Sequence, residues 1–172
     1  MILSFGWTWA AFVALVKTAT RRDWSPAYAA LWKRGTEFVA YNRSPRFGGR
    51  PIGTGRLTQD ALYEPLSSMP SSDYEAEGFA WLHEHPEALP KSARQQIWGD
   101  CTFPAFDRWR NSGGSLYVVR YEILTITDWA RDELAKLIAE DRRAGEVQST
   151  RNAAGATTPA VFTRRPDSIR TS

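Results

Sequence analysis

One cysteine, two histidines and two methionines in 172 residues remove several chemistries at once. With Cys101 alone, no internal disulfide can form, which suits a reducing compartment. Its sequence neighbours, Asp100 and Thr102, offer no electropositive partner, so the thiol reads as inert. His83 and His85 are the only histidines, just before Pro86. A zinc site needs three or four convergent ligands at suitable spacing, and no HExxH occurs, so no metal is expected. No GxxxxGKS/T phosphate loop is present, and Gly53-Thr54-Gly55 lacks the third glycine of a dinucleotide fingerprint. No cofactor is expected. The N-terminal apolar stretch, Phe5 to Val16, has 12 residues. That is too short to span a bilayer. No basic segment precedes it, because the first basic residue is Lys17, and no small-residue cleavage site follows. The expectation is a cytoplasmic protein that does not engage a membrane.

The length suits one domain with a tail and is enough to bury a core without staples. Apolar residues make up 42% and charged residues 24%, which argues against global disorder. The net charge of +3 conceals a division. Residues 17–56 hold nine Lys/Arg and two acids, whereas residues 57–90 hold seven acids and no Lys or Arg. The basic block can present a local positive field to a polyanion, or it can be an ordinary solvated surface. Eight tryptophans are the other deviation. Most belong in the core, and one or two could be stacking platforms for bases.

Residues 2–5 read as a short strand, and Trp9–Val16 as a nearly all-apolar helix, buried on most sides. Ser25-Pro26 opens a helix that runs to Arg34 and stops at Gly35. Glu37–Tyr41 alternates as a strand, and 42–49 is a loop. Arg50–Thr58 is a strand in which Gly53 and Gly55 signal a bend or a close backbone approach. Residues 59–72 are rich in Pro and Ser and read as a loop. A helix capped by Ser72 or Asp73 then runs to Glu84, and another spans the stretch from Pro90 to Trp98. Phe103–Arg110 is a short helix, and Ser115–Thr125 is the clearest strand. A last amphipathic helix ends near Ala144. The domain is expected at 1–144, with a flexible Arg-containing tail at 145–172. Scattered strands interleaved with helices fit an α+β fold, a small, mostly antiparallel β-barrel with flanking α-helices.

Two local runs can carry chemistry. Lys17-Thr18-Ala19-Thr20-Arg21-Arg22-Asp23-Trp24 sits where the buried helix gives way to a strand. Lysine, hydroxyls and two arginines together offer charge-assisted donors to phosphate. A desolvated lysine also loses its proton more easily and can activate a hydroxyl. The plain alternative is a basic turn with β-prone threonines. Lys17 and Thr20 have opposite parity, so they converge only if the lysine lies in the turn before the strand. The second run is Asp73-Tyr74-Glu75-Ala76-Glu77-Gly78-Phe79. Glu75 and Glu77 cannot face one direction on a helix, so one can enter a cleft while the other meets water. The plain alternative is an acidic first turn that complements the helix dipole.

With these residues in view, the sequence resembles the ASCH family of the PUA-like superfamily. The family pattern K-T-x-T-x-R is matched by Lys17-Thr18-Ala19-Thr20-Arg21-Arg22, with Leu15 where a glycine is often found. Glu77-Gly78-Phe79 looks like the family's acidic residue before a Gly-Phe pair, and 116–123 like its closing strand. The resemblance covers roughly residues 1–125, and the longer layout is similar to phage and prophage members. It implies a small PUA-like barrel whose cleft binds nucleic acid or nucleotides, RNA more than DNA, or a modified nucleoside. The residues implied for binding are Lys17, Thr18, Arg21, Arg22 and Trp24, with Arg46 and Arg50 from the basic block. Some small members are amidohydrolases that deacetylate N4-acetylcytidine. Carried over, Thr20 would be the nucleophile, Lys17 its activator and Glu77 a general acid or base. Another member class is described as cleaving RNA. A third possibility is a phage-type interaction protein that offers its acidic 57–90 segment to a basic partner.

Overall fold

The computed structural model describes residues 1–90, 93 and 100–155, with the backbone alone at 141–142 and 144–155. The chain divides into two units, Met1–Ala139 and Glu140–Ser172, and the sheet and site belong to the first. The strands are β1 (Ile2–Ser4), β2 (Ala19–Arg22), β3 (Glu37–Tyr41), β4 (Pro51–Leu57), β5 (Leu62–Pro65) and β6 (Ser115–Ile126). They form one mixed sheet in the order β1-β3-β4-β6-β2, with β5 also on β6. Only the β1–β3 pairing is parallel. The sheet curls into an open half-barrel with helices around it, so the expected α+β class with a small barrel holds.

β6 is the spine. Along its length it pairs with β4 at Tyr121–Ile126 and with β5 at Ser115–Val118. It also pairs with β2 at Tyr117–Arg120. Val119, Tyr121 and Ile126 enter the main core with Phe12, Trp32, Phe38 and Ile52. Leu66, Met69 and Phe106 form a second small cluster, against which Leu116 packs. The close approach expected at Gly55 is present, since a Cβ there would meet the Phe38 ring at 2.5 Å. A register shift falls between Thr54 and Gly55.

The helices are shorter than the sequence suggested. Helix α1 is Trp9–Val13 and α2 is Pro26–Ala29, capped by the Ser25 hydroxyl as expected. The expected continuations to Val16 and Arg34 are turns. Residues 59–72, read as loop, hold β5 and a 3-10 turn at Leu66–Ser68. Pro65 hid that strand, because proline is tolerated on an outer strand. The single helix expected from 74 to 84 is two, α3 (Asp73–Ala76) and α4 (Phe79–Glu84). Gly78, at φ +83°, separates them. Helix α5 is Phe103–Arg110 and α6 is Asp128–Gly155. Helix α6 thus continues past the expected end near Ala144 and through 145–155, the start of the expected flexible tail. A glycine inside a helix costs only about 1 kcal/mol, and Ala144, Glu146 and Gln148 beside Gly145 are adequate helix formers. The expected stretch from Pro90 to Trp98 lies, apart from Pro90 and Ala93, outside the described residues, as do 156–172. No helix among the described residues is long and apolar enough to cross a membrane.

Leu15 ends α1 in the left-handed region, at φ +65°. It is the residue that stands where the ASCH pattern often has glycine. The amide groups of Val16 and Lys17 then both donate to the Ala11 carbonyl, which turns the chain sharply into β2. Leu15 is 62% exposed and contributes little packing, so its strain is uncompensated. Leu15→Gly should be more stable than Leu15→Ala by roughly 0.5–1 kcal/mol in urea unfolding. Equal midpoints would show that this turn is unstrained.

Candidate functional site

The left-handed turn at Leu15 settles the parity problem in the Lys17 run. Lys17 lies before β2, so its side chain is free of the strand's alternation and folds inward, with 1% of its surface exposed. Within β2, Thr20 and Arg22 share one face and Arg21 takes the other. The β2–β6 register places Arg120 and Leu116 on the Arg21 face and Val119 and Tyr121 on the Thr20 and Arg22 face. β5 adds Glu64, opposite Leu116, to the Arg21 face.

The break at Gly78 delivers the acidic residue. A Cβ at Gly78 would lie 2.5 Å from that of Ala11, so the glycine also permits contact with α1. Glu75 is exposed and Glu77 buried, the division expected from their spacing. Lys17 Nζ donates to Glu77 Oε2 at 2.8 Å and to the Glu77 carbonyl, also at 2.8 Å. Arg21 Nη1 donates to Glu77 Oε1 at 3.1 Å, and Arg21 Nη2 donates to Glu64 and Asp73. Arg120 approaches both Asp73 oxygens at 2.9 Å. Glu64 and Arg120 were not singled out in the sequence, and Asp73 was not assigned to the site. Asp73 read as a helix cap, but its carboxylate is spent on the two arginines, and Ser72 caps nothing with its side chain. Thus the basic and acidic segments do meet, and Glu64, Asp73 and Glu77 are withdrawn from the acidic segment's surface.

A cleft of about 530 Å³ opens at the seam of the half-barrel, beside this network. Lys17, Thr20, Arg21, Arg22 and Glu77 line it. Its walls are largely aromatic: Phe5, Trp7, Phe79, Phe106 and Trp109. Trp7 and Phe79 are stacked, with centroids 5.4 Å apart and planes 3° apart. Cys101 and the Asp100–Arg108 pair complete the rim. The other expected binding residues lie elsewhere. Thr18 is exposed, with its backbone spent on Ala76 and Tyr121. Trp24 stacks on Trp32 at 4.8 Å and belongs to the core margin. Arg46 is exposed on a short 3-10 turn, and Arg50 lies over the Trp129 ring at 4.1 Å. None of these four lines the cleft, and for Trp24, expected in its wall, that is a correction: strand parity and core packing, not charge, decide which residues reach it.

The electrostatics distinguish the cations. Burial lowers the Lys17 pKa, Glu77 opposes that, and Arg22 and Arg21 add to it. Burial also lowers Arg22. Burial acts likewise on Arg21, but Asp73, Glu77 and Glu64 outweigh it and hold the guanidinium above its ordinary value. The Cys101 thiol is pushed up to about 11 by burial and then by Asp100, so it remains protonated, as the sequence suggested. The Thr20 hydroxyl forms no hydrogen bond to a described residue, including Lys17 and Glu77, although Thr20 lines the cleft. The site therefore offers a buried amine, an unengaged hydroxyl, an acidic group and flat apolar walls. Comparison with protein-family models, curated proteins and solved structures finds no match to this chain.

Removing one member of a buried ion pair strands its partner in a poorly solvating interior. Glu77→Gln leaves Lys17 with no carboxylate and should cost about 3 kcal/mol of stability. Lys17→Met should cost clearly less, because Glu77 keeps Arg21. Urea unfolding of both variants checks the order. Equal costs would show that Lys17 does not depend on Glu77.

Proposed function

We propose that this chain is an ASCH-type, PUA-like domain that binds a nucleoside or nucleotide unit, of RNA or a modified nucleoside, in the seam cleft. One observation carries the reading. Lys17, Thr20, Arg22 and Glu77, from two segments far apart in sequence, converge on a cleft whose walls are aromatic. A nucleobase presents apolar π-faces and a polar edge, and the cleft offers the matching surfaces. Its volume suits one such unit more than a groove that tracks a backbone. The dispersal of Arg46 and Arg50 supports the same scale.

A second reading, deacylation of an N4-acetylcytidine-type nucleoside, is favoured by the lowered Lys17 pKa in a cleft shared with the Thr20 hydroxyl. Thr20 Oγ would attack the acyl carbon while Lys17, having first given up its own proton, takes the hydroxyl proton. The C–N bond would break, with the proton passing to the departing amine, and water would release the acid from the threonine ester.

Equilibrium binding of the four common nucleosides and their 5′-monophosphates tests the first reading. At least one should bind, and Trp7→Ala should weaken it about tenfold by removing a stacking surface. No binding, or binding indifferent to Trp7, contradicts it. Incubation with N4-acetylcytidine tests the second. Cytidine should appear with the wild type and not with Thr20→Ala. No cytidine from the wild type ends the deacylase reading.

A further inference from the structure

Charge does not balance around the cleft. Lys17, Arg21, Arg22 and Arg120 face Glu64, Asp73 and Glu77. Three of the cations are paired with carboxylates at 3.1 Å or less. Arg22 has no carboxylate partner among the described residues. Its Nη2 donates to the Ser4 carbonyl at 2.7 Å, which ties β2 across the open seam to β1. Its Nε is buried and unpartnered, and Nη1 makes no hydrogen bond to a described residue. The guanidinium lies over the Phe5 ring at 5.8 Å and lines the cleft. On the same face of the sheet, the Tyr121 hydroxyl is also buried without a partner.

A half-buried guanidinium without a counter-charge is costly, and its planar fork suits two oxygens of one anion. A seam clamp alone needs only the bond from Nη2. We propose that Arg22 is the anion subsite of the cleft and that the ligand carries a phosphate against it. This rests on the nucleoside or nucleotide reading and makes it narrower: the base lies between the aromatic walls and a phosphate oxygen pair meets Arg22. The phosphate belongs either to a free nucleotide or to the diester of a strand.

The test compares three probes for each base: the nucleoside, its 5′-monophosphate, and the dinucleoside monophosphate without terminal phosphates. Inorganic phosphate alone is the fourth probe. Wild type should bind one of the two phosphate-bearing probes at least about tenfold more tightly than the nucleoside. A gain for the monophosphate alone identifies a free nucleotide, and a gain for the dinucleoside identifies a strand. Arg22→Gln should erase the gain, so that the phosphate-bearing probe binds no more tightly than the nucleoside, and Arg22→Lys should keep part of it. A purely structural clamp would weaken all probes alike, so an equal loss overturns the proposal. Nucleoside binding with no phosphate gain also overturns it and leaves the nucleoside reading standing. Inorganic phosphate bound through Arg22, with no nucleoside or nucleotide bound, keeps the subsite and removes the base. No binding of any probe removes both.

Discussion

Arg21 is buried with Glu64, Asp73 and Glu77 around it, and the rest of the site depends on keeping it paired. Ions taken out of water cost several kcal/mol each unless attraction and hydrogen bonds replace hydration. That condition draws β5, α3 and the residue just before Gly78 onto one face of β2. It also fixes Glu77, and through Glu77 it fixes Lys17. Three carboxylates of the acidic segment, Glu64, Asp73 and Glu77, are matched from β2, β6 and the turn at Leu15. The modest net charge is thus compatible with strongly charged halves that neutralise each other inside the fold.

The consequence for function is a division of labour among cations that look alike in sequence. Lys17 and Arg21 are held by carboxylates, whereas Arg22, one position further along β2, turns to the opposite face and lacks one. The cleft lies where the sheet fails to close. β1 and β2 end the β1-β3-β4-β6-β2 order, Arg22 reaches across to Ser4, and the aromatic side chains of Phe5 and Trp7 follow directly after β1. The seam leaves Arg22 Nε without a partner beside apolar walls, a surface that a flat, partly polar ligand would fit.

Much of this was legible before the fold was known, for physical reasons. Alternation in Glu37–Tyr41 and in the β6 segment carries the strand signal, and Ser25-Pro26 carries a helix start. The Lys17–Arg22 and Glu77 runs stood out because they put opposite charges beside apolar elements. Other features were hidden. Gly78 beside Glu77 permits a close approach, which Ala11 makes, but only its positive φ marks a break in the helix. Glu64 sat in a Pro- and Ser-rich stretch that masked a strand. Asp73 resembled a helix cap, because local spacing cannot reveal that two arginines from distant strands claim its oxygens. Trp24 looked like a partner of the basic run, but its ring stacks on Trp32, a contact set by tertiary packing.

The central claim is that the Arg21 network is one coupled unit that holds β2 to α3. A double-mutant cycle on Arg21 and Asp73, with Arg21→Met, Asp73→Leu and the pair, measured by urea unfolding, tests it most directly. The account predicts a coupling of about 2 kcal/mol or more, with the double variant much less damaged than the two single losses added together. Additivity to within about 0.5 kcal/mol would contradict it.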